Sequence, residues 1–180
     1  MRYLLFIALA AAALSVCSGK AQAQPTAAEE YDIKAAFIYN FAKFIEWPDG
    51  TFSTPGSPVV LCVFGRGAIE KSFGEVHGKT VKGRNVDVIF NDDIDNIKSC
   101  NIIFLSTSDK KYAGAVLDSV KGVSVVTVGE TPDFIHSGGI ISFKSQGNKI
   151  RFEINPIAAK RARLTISSQL LKLADISRGR

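Results

Sequence analysis

The sequence is poor in the residues that carry most metal and nucleophile chemistry: of 180 residues only 2 are histidine, 3 are cysteine and 1 is tryptophan. So few histidines exclude a His-built metal centre, and neither His77 nor His136 has a Ser or Cys at the spacing a catalytic pair needs. No charge sign dominates, because 22 basic residues face 17 acidic ones; this mild excess lacks the concentrated basic stripe of a nucleic-acid binder. Low-complexity blocks are missing and Val, Ile, Leu and Phe recur throughout, which excludes a disordered chain. After the opening segment, no apolar run approaches the roughly 18 to 20 residues of a membrane span.

What is there begins with a secretory signature. Arg2 supplies a positive start, residues 4–16 an apolar core, and Ala21-Gln22-Ala23 a small-residue cleavage site. The expectation is a signal peptide over 1–23 and a soluble periplasmic domain over 24–180, beginning at Gln24. A membrane anchor would need a longer apolar run, and the lipobox-like Leu14-Ser15-Val16-Cys17 has Val where a small residue precedes an acylated Cys. Cys17 leaves with the signal, so Cys62 and Cys100 remain as an even pair in an oxidising compartment. The compartment favours a bridge over two free buried thiols; it would be worth roughly 4 kcal/mol on the chain-entropy model.

The mature region reads as one domain. Ile33, Ala36, Phe37, Asn40, Phe41, Phe44 and Ile45 recur at three- and four-residue steps, predicting an amphipathic helix from Tyr31 that Trp47-Pro48 stops. Its face is unusually aromatic; Phe37, Phe41 and Phe44 are candidate contacts for a partner as well as core residues. Strands are predicted at 59–64, 85–90, 101–105 and 123–128, with helical pieces at 68–73, 92–98 and 109–120 between them. This alternation implies βαβ units. At the end, 140–143 and 150–154 form a hairpin around Gln146-Gly147-Asn148, Asn155-Pro156 opens a helix, 164–166 is extended, and Ser167 or Ser168 caps a last helix. The expected fold class is therefore a single α/β domain: a mostly parallel sheet flanked by helices in Rossmann-like layering, closed by a C-terminal hairpin and helices.

Catalytic patterns fail on inspection. Gly65-Arg66-Gly67-Ala68-Ile69-Glu70-Lys71-Ser72 imitates a phosphate loop, but Glu70 stands where the Gly before Lys belongs and would repel phosphate. Gly65 and Gly67 could still let backbone N–H groups approach a small anion. Asn91-Asp92-Asp93 with Asp95 lacks the Gly and distal Glu of a calcium loop and reads as acids at a helix start. Glu153, between Phe152 and Ile154, is expected to face solvent or pair with Arg151 or Lys160. No catalytic residue, metal or cofactor is assigned, and a binding or regulatory module is favoured over an enzyme.

Tyr31-Asp32-Ile33-Lys34-Ala35-Ala36-Phe37-Ile38-Tyr39-Asn40-Phe41-Ala42-Lys43-Phe44-Ile45-Glu46-Trp47-Pro48 resembles the opening signature of the YfiR-like family. Ile150-Arg151-Phe152-Glu153-Ile154-Asn155, Ala158-Ala159-Lys160-Arg161-Ala162 and Ile166-Ser167-Ser168-Gln169-Leu170-Leu171-Lys172-Leu173-Ala174 resemble its closing one. The resemblance implies a periplasmic α/β protein, often a homodimer, that represses an inner-membrane diguanylate cyclase by binding its periplasmic region, so controlling cyclic di-GMP and biofilm formation. It implies an OmpA-like outer-membrane lipoprotein as a second partner. Cys62 and Cys100 match the positions of one disulfide in that family; the second, near the hairpin, has no counterpart here. Arg163 departs from a Gly common in the family, which predicts a differently capped helix end. The candidate partner-binding residues are Phe37, Phe41, Phe44, Glu153, Leu164, Ile166, Leu170 and Leu171. The alternative is a periplasmic small-ligand binding protein feeding a sensor kinase or transporter, its ligand in the crevice at the strand ends.

Overall fold

A computed structural model describes residues 26–91 and 94–177; the expected signal segment 1–23 and the pair Asp92-Asp93 lie outside them. The first helix, α1 (Ala27–Phe44), begins four residues before Tyr31 because Thr26 and Glu29 form a reciprocal capping box. The Glu29 carboxylate accepts the Thr26 N–H at 2.7 Å and the Thr26 hydroxyl accepts the Glu29 N–H at 3.3 Å. The helix gives way to a short strand, β1 (Ile45–Glu46), just before Trp47-Pro48. Then come β2 (Val59–Phe64), α2 (Ala68–Gly74), β3 (Thr80–Val81) and β4 (Arg84–Asn91). The helix expected over 92–98 is, among the described residues, only a 3-10 turn at Ile97–Ser99. After β5 (Ile102–Leu105), a 3-10 segment, Thr107–Tyr112, runs into α3 (Ala113–Ser119), followed by β6 (Val126–Gly129). The chain closes with the hairpin β7 (Ile141–Gln146) and β8 (Lys149–Ile154), then α4 (Pro156–Arg161), β9 (Thr165–Ile166), α5 (Ser168–Leu173) and β10 (Asp175–Ile176).

The main sheet has the order β10-β8-β7-β6-β5-β2-β4-β3. Strands β4, β2, β5, β6 and β7 run parallel, antiparallel hairpins β3–β4 and β7–β8 flank them, and β10 adds in parallel outside β8. The expected mostly parallel α/β sheet forms, because strands buried on both faces need no polar alternation. Within β2, Leu61 and Val63 point into the core under α1 and α2, whereas Cys62 and Phe64 point into the second core with Val116 of α3. The Cys62–Cys100 disulfide lies in that second core, its Cα atoms 5.9 Å apart, both residues almost fully enclosed. A separate ribbon pairs β1 with β9, Ile45 opposite Ile166.

The end of α4 corrects one expectation. Arg163 takes a left-handed φ of 59° and the helix closes as a Schellman motif: the Leu164 N–H donates to Ala159 O and the Arg163 N–H to Lys160 O, both at 3.0 Å. The cap is therefore the one a Gly would make, with Arg bearing the steric cost of that conformation. Arg163→Gly is expected to raise stability by about 1 kcal/mol, the single guanidinium bond to Gly122 O at 3.3 Å being exposed and weak. Urea denaturation of the two proteins checks the sign.

Candidate partner-binding surface

The aromatic face of α1 lies on the sheet. Phe41 stacks between β7 and β8, its ring centroid 5.9 Å from Phe143 and 4.8 Å from Phe152, and Phe37 sits 5.5 Å from Phe152. Phe41 is 1% exposed, Leu164 6% and Leu170 3%, so these three candidates serve as packing and offer no surface in this arrangement. The reason is geometric: the face of α1 turned to the sheet is Lys34, Ala35, Ile38, Phe41 and Ala42, offset from the expected stripe, of which Ile33, Ala36 and Asn40 are exposed. Phe37, Phe44, Ile166 and Leu171 are half-buried. The β1–β9 ribbon brings Phe44 and Ile166 together, the Ser167 N–H donating to Phe44 O at 2.9 Å. Ser167 also caps α5, its hydroxyl accepting the Leu170 N–H at 3.2 Å.

Glu153 pairs with neither Arg151 nor Lys160. Its partner is Lys144, one strand over and diagonally placed, with Nζ 2.5 Å from Oε2. β10 pairs in parallel with β8, Asp175 beside Glu153 and Ile176 beside Ile154. This edge carries two apolar residues the sequence reading passed over as contacts: Leu173, 70% exposed, and Ile176, 52% exposed. The available signal was the density of leucines in so short a helix, since Leu170, Leu171 and Leu173 cannot all face inward on α5. The resulting surface runs from Phe44 and Ile166 over α5 to the β8–β10 edge. Among the described residues no strand pairs with the outer side of the two-residue β10.

The crevice at the carboxyl ends of β5 and β6 is filled by the protein itself. Lys34 of α1 reaches Glu130, directly after β6, and also Glu30 at 2.5 Å. Glu130 accepts the Tyr31 hydroxyl at 3.1 Å and the Thr107 N–H at 2.8 Å. Burial, and then the Glu130 carboxylate, push the Tyr31 hydroxyl far above the usual tyrosine range, so it remains a donor. Beneath them Ser106, fully buried, donates to Asp109 Oδ2 at 2.8 Å.

The glycine loop before α2 is likewise self-occupied. Glu70 accepts the Gly67 N–H at 3.2 Å and pairs with Arg66 at 2.7 Å, which with the Gly67 bond holds its carboxyl below the usual range. The Gly67 N–H that could have approached a small anion thus has an internal carboxylate instead. Gly65 takes a φ of 149°, which L side chains rarely adopt, and a Cβ there would also push the Ile69 side chain aside. Both histidines are exposed, His77 accepting the Val88 N–H at 3.2 Å. Among the described residues no group of three or more His, Cys, Asp or Glu is placed to hold a metal ion, and no helix is long and apolar enough to cross a membrane.

The YfiR/HmsC-like family matches this sequence over residues 31–175, from Tyr31 to β10. The chain belongs to the YfiR/HmsC-like family. No curated protein matches it significantly. Among solved structures, a conserved domain protein from Vibrio cholerae O1 biovar El Tor superposes with a TM-score of 0.51 at 12% identity, covering 82% of this chain. This chain spans 60% of that protein's length, and at such identity the likeness speaks for the shared α/β fold alone. Within the YfiR/HmsC-like match, the opening signature forms α1, β1 and the Trp47-Pro48 corner, while the closing signature forms β8, α4, β9 and α5. The two are in contact, at the Phe37–Phe152 rings and along the β1–β9 ribbon.

Proposed function

We propose that this protein acts in the periplasm, after removal of residues 1–23, as a regulator that binds and represses an inner-membrane diguanylate cyclase and so restrains cyclic di-GMP signalling and biofilm formation. The observation that carries the reading is YfiR/HmsC-like membership over nearly the whole described chain. The surface from Ile166 to the β8–β10 edge supports it: apolar side chains left exposed beside an edge strand are what a protein partner covers. The small-ligand alternative loses ground at the strand-end crevice, where Lys34, Tyr31 and Glu130 fill the space a ligand would take. The family resemblance extends the proposal to a homodimer and to an OmpA-like outer-membrane lipoprotein.

Deleting the gene is expected to raise cyclic di-GMP and surface attachment. Periplasmic expression should reverse both, and expression lacking residues 1–23 should reverse neither. Leu173→Glu is expected to abolish repression while leaving the thermal melt unchanged, because a charge desolvated without a partner at an interface costs several kcal/mol of binding; Ile166→Glu should abolish repression and also lower the melt, since Ile166 packs against the core. Leu170→Glu should instead unfold the domain, since that residue is core. Unchanged cyclic di-GMP on clean deletion, with every cyclase of the host intact, overturns the repressor reading.

A further inference from the structure

A pocket of about 230 Å³ opens between the turn after α3, the segment before β7 and the C-terminal half of α4. Its floor is apolar, with Val125, Ile140 and Ala158 all nearly buried. Two exposed cations line it: Lys121 from the turn after α3 and Arg161 from α4. Among the described residues neither side chain has a hydrogen-bond or ion-pair partner, and Asp118, which offsets one of the charges, pairs with neither. At the end of α4 the carbonyls of Ala158, Ala159 and Lys160 already accept from Ala162, Leu164 and Arg163. His136 adds a further polar group to the wall.

We propose that this pocket is a binding site for a small organic monoanion, a carboxylate carried on a compact apolar body. An apolar floor takes the body out of water, while the Arg161 fork and the Lys121 ammonium take the carboxylate. The volume, below the roughly 300 Å³ of the smallest typical ligand pockets, restricts the occupant to a small molecule. An inorganic anion would leave the floor uncovered. The site is remote from the strand-end crevice and independent of the repressor reading. It does touch α4, which passes through Arg163 directly into β9 and α5.

Benzoate and its neutral counterpart benzamide are suitable probes, titrated into the purified periplasmic protein by calorimetry, with amide shifts of Gly122 and Gly138 followed by NMR. Benzoate is expected to bind at millimolar concentration or better and to shift both amides, and benzamide to bind about tenfold more weakly. Arg161→Gln and Lys121→Gln should each weaken benzoate by about tenfold at unchanged thermal stability, with Arg161→Lys intermediate. Asp118→Asn should strengthen it. No benzoate binding, equal binding of benzamide, or indifference to both cation variants overturns the site.

Discussion

Lys34→Met is expected to destabilise the domain by about 3–5 kcal/mol, the loss characteristic of a buried ion pair from which one partner is removed. Both side chains of the Lys34–Glu130 pair are only 6% exposed, so the carboxylate left behind could not recover its hydration. Glu130 is also bound to the Thr107 N–H and the Tyr31 hydroxyl, which hold it in place and prevent it from turning outward. Glu130→Gln should cost less, about 1–3 kcal/mol, because an amide oxygen still accepts from Thr107 and Tyr31 while Lys34 keeps Glu30. The double variant Lys34→Met/Glu130→Gln should be markedly less destabilised than the sum of the two, since no buried charge is then orphaned. Urea unfolding of the four proteins measures the coupling. A Lys34→Met protein within about 1 kcal/mol of the parent would mean that the pair does not hold charge in the interior.

The second large effect belongs to the disulfide. Replacing Cys62 or Cys100 by Ser is expected to cost about 2–5 kcal/mol. Part of this is chain entropy, for the bridge closes a loop across a sequence separation of 38 and ties β2 to the start of β5. The remainder is local: each residue is at most 2% exposed in the core with Phe64, Ile97 and Val120, where a Ser hydroxyl finds no apolar equivalent of the sulfur contacts. Denaturant midpoints of the parent, the single variants and the reduced parent should order with the oxidised parent well above the rest. A reduced parent as stable as the oxidised one would remove the bridge from any account of stability.

Much of the fold was legible because burial on both faces of a sheet leaves a local trace. The runs at 59–64 and 101–105 read as strands from their apolarity, Asn155-Pro156 as a helix start from Pro at the first helical position, and Ser167 or Ser168 as a helix start from a capping hydroxyl, the structure choosing Ser167. The short pieces β1, β3, β9 and β10 had at best a partial trace. Two residues carry no periodicity; they are strands only because a partner lies opposite, as Ile45 does to Ile166 and Asp175 to Glu153. The extended stretch at 164–166 was visible, its pairing was not.

The candidate surface divides along the same line. Apolarity and spacing marked Phe37, Phe41, Phe44, Leu164, Ile166, Leu170 and Leu171, but spacing says only which residues share a stripe. Whether a stripe meets the core or water depends on what packs against it, and here Phe143 and Phe152 cover Phe41 while Leu173 and Ile176 are left outside. Polar partners were equally out of reach: Glu153 chose Lys144 because the antiparallel register sets them diagonally, and Lys34 found Glu130 across 96 residues of chain.

What the sequence by itself determined, then, is the layered α/β class, the even cysteine pair, the principal helix starts and the family signatures at both ends, each written in residues close together in the chain. Only the tertiary structure decided that those two ends pack on each other, that the strand-end crevice is filled by Lys34 and Glu130, and that Leu173 and Ile176 are left exposed at the β8–β10 edge. Such outcomes depend on contacts between distant segments, whose energies are set by burial and register after folding and have no counterpart in local pattern.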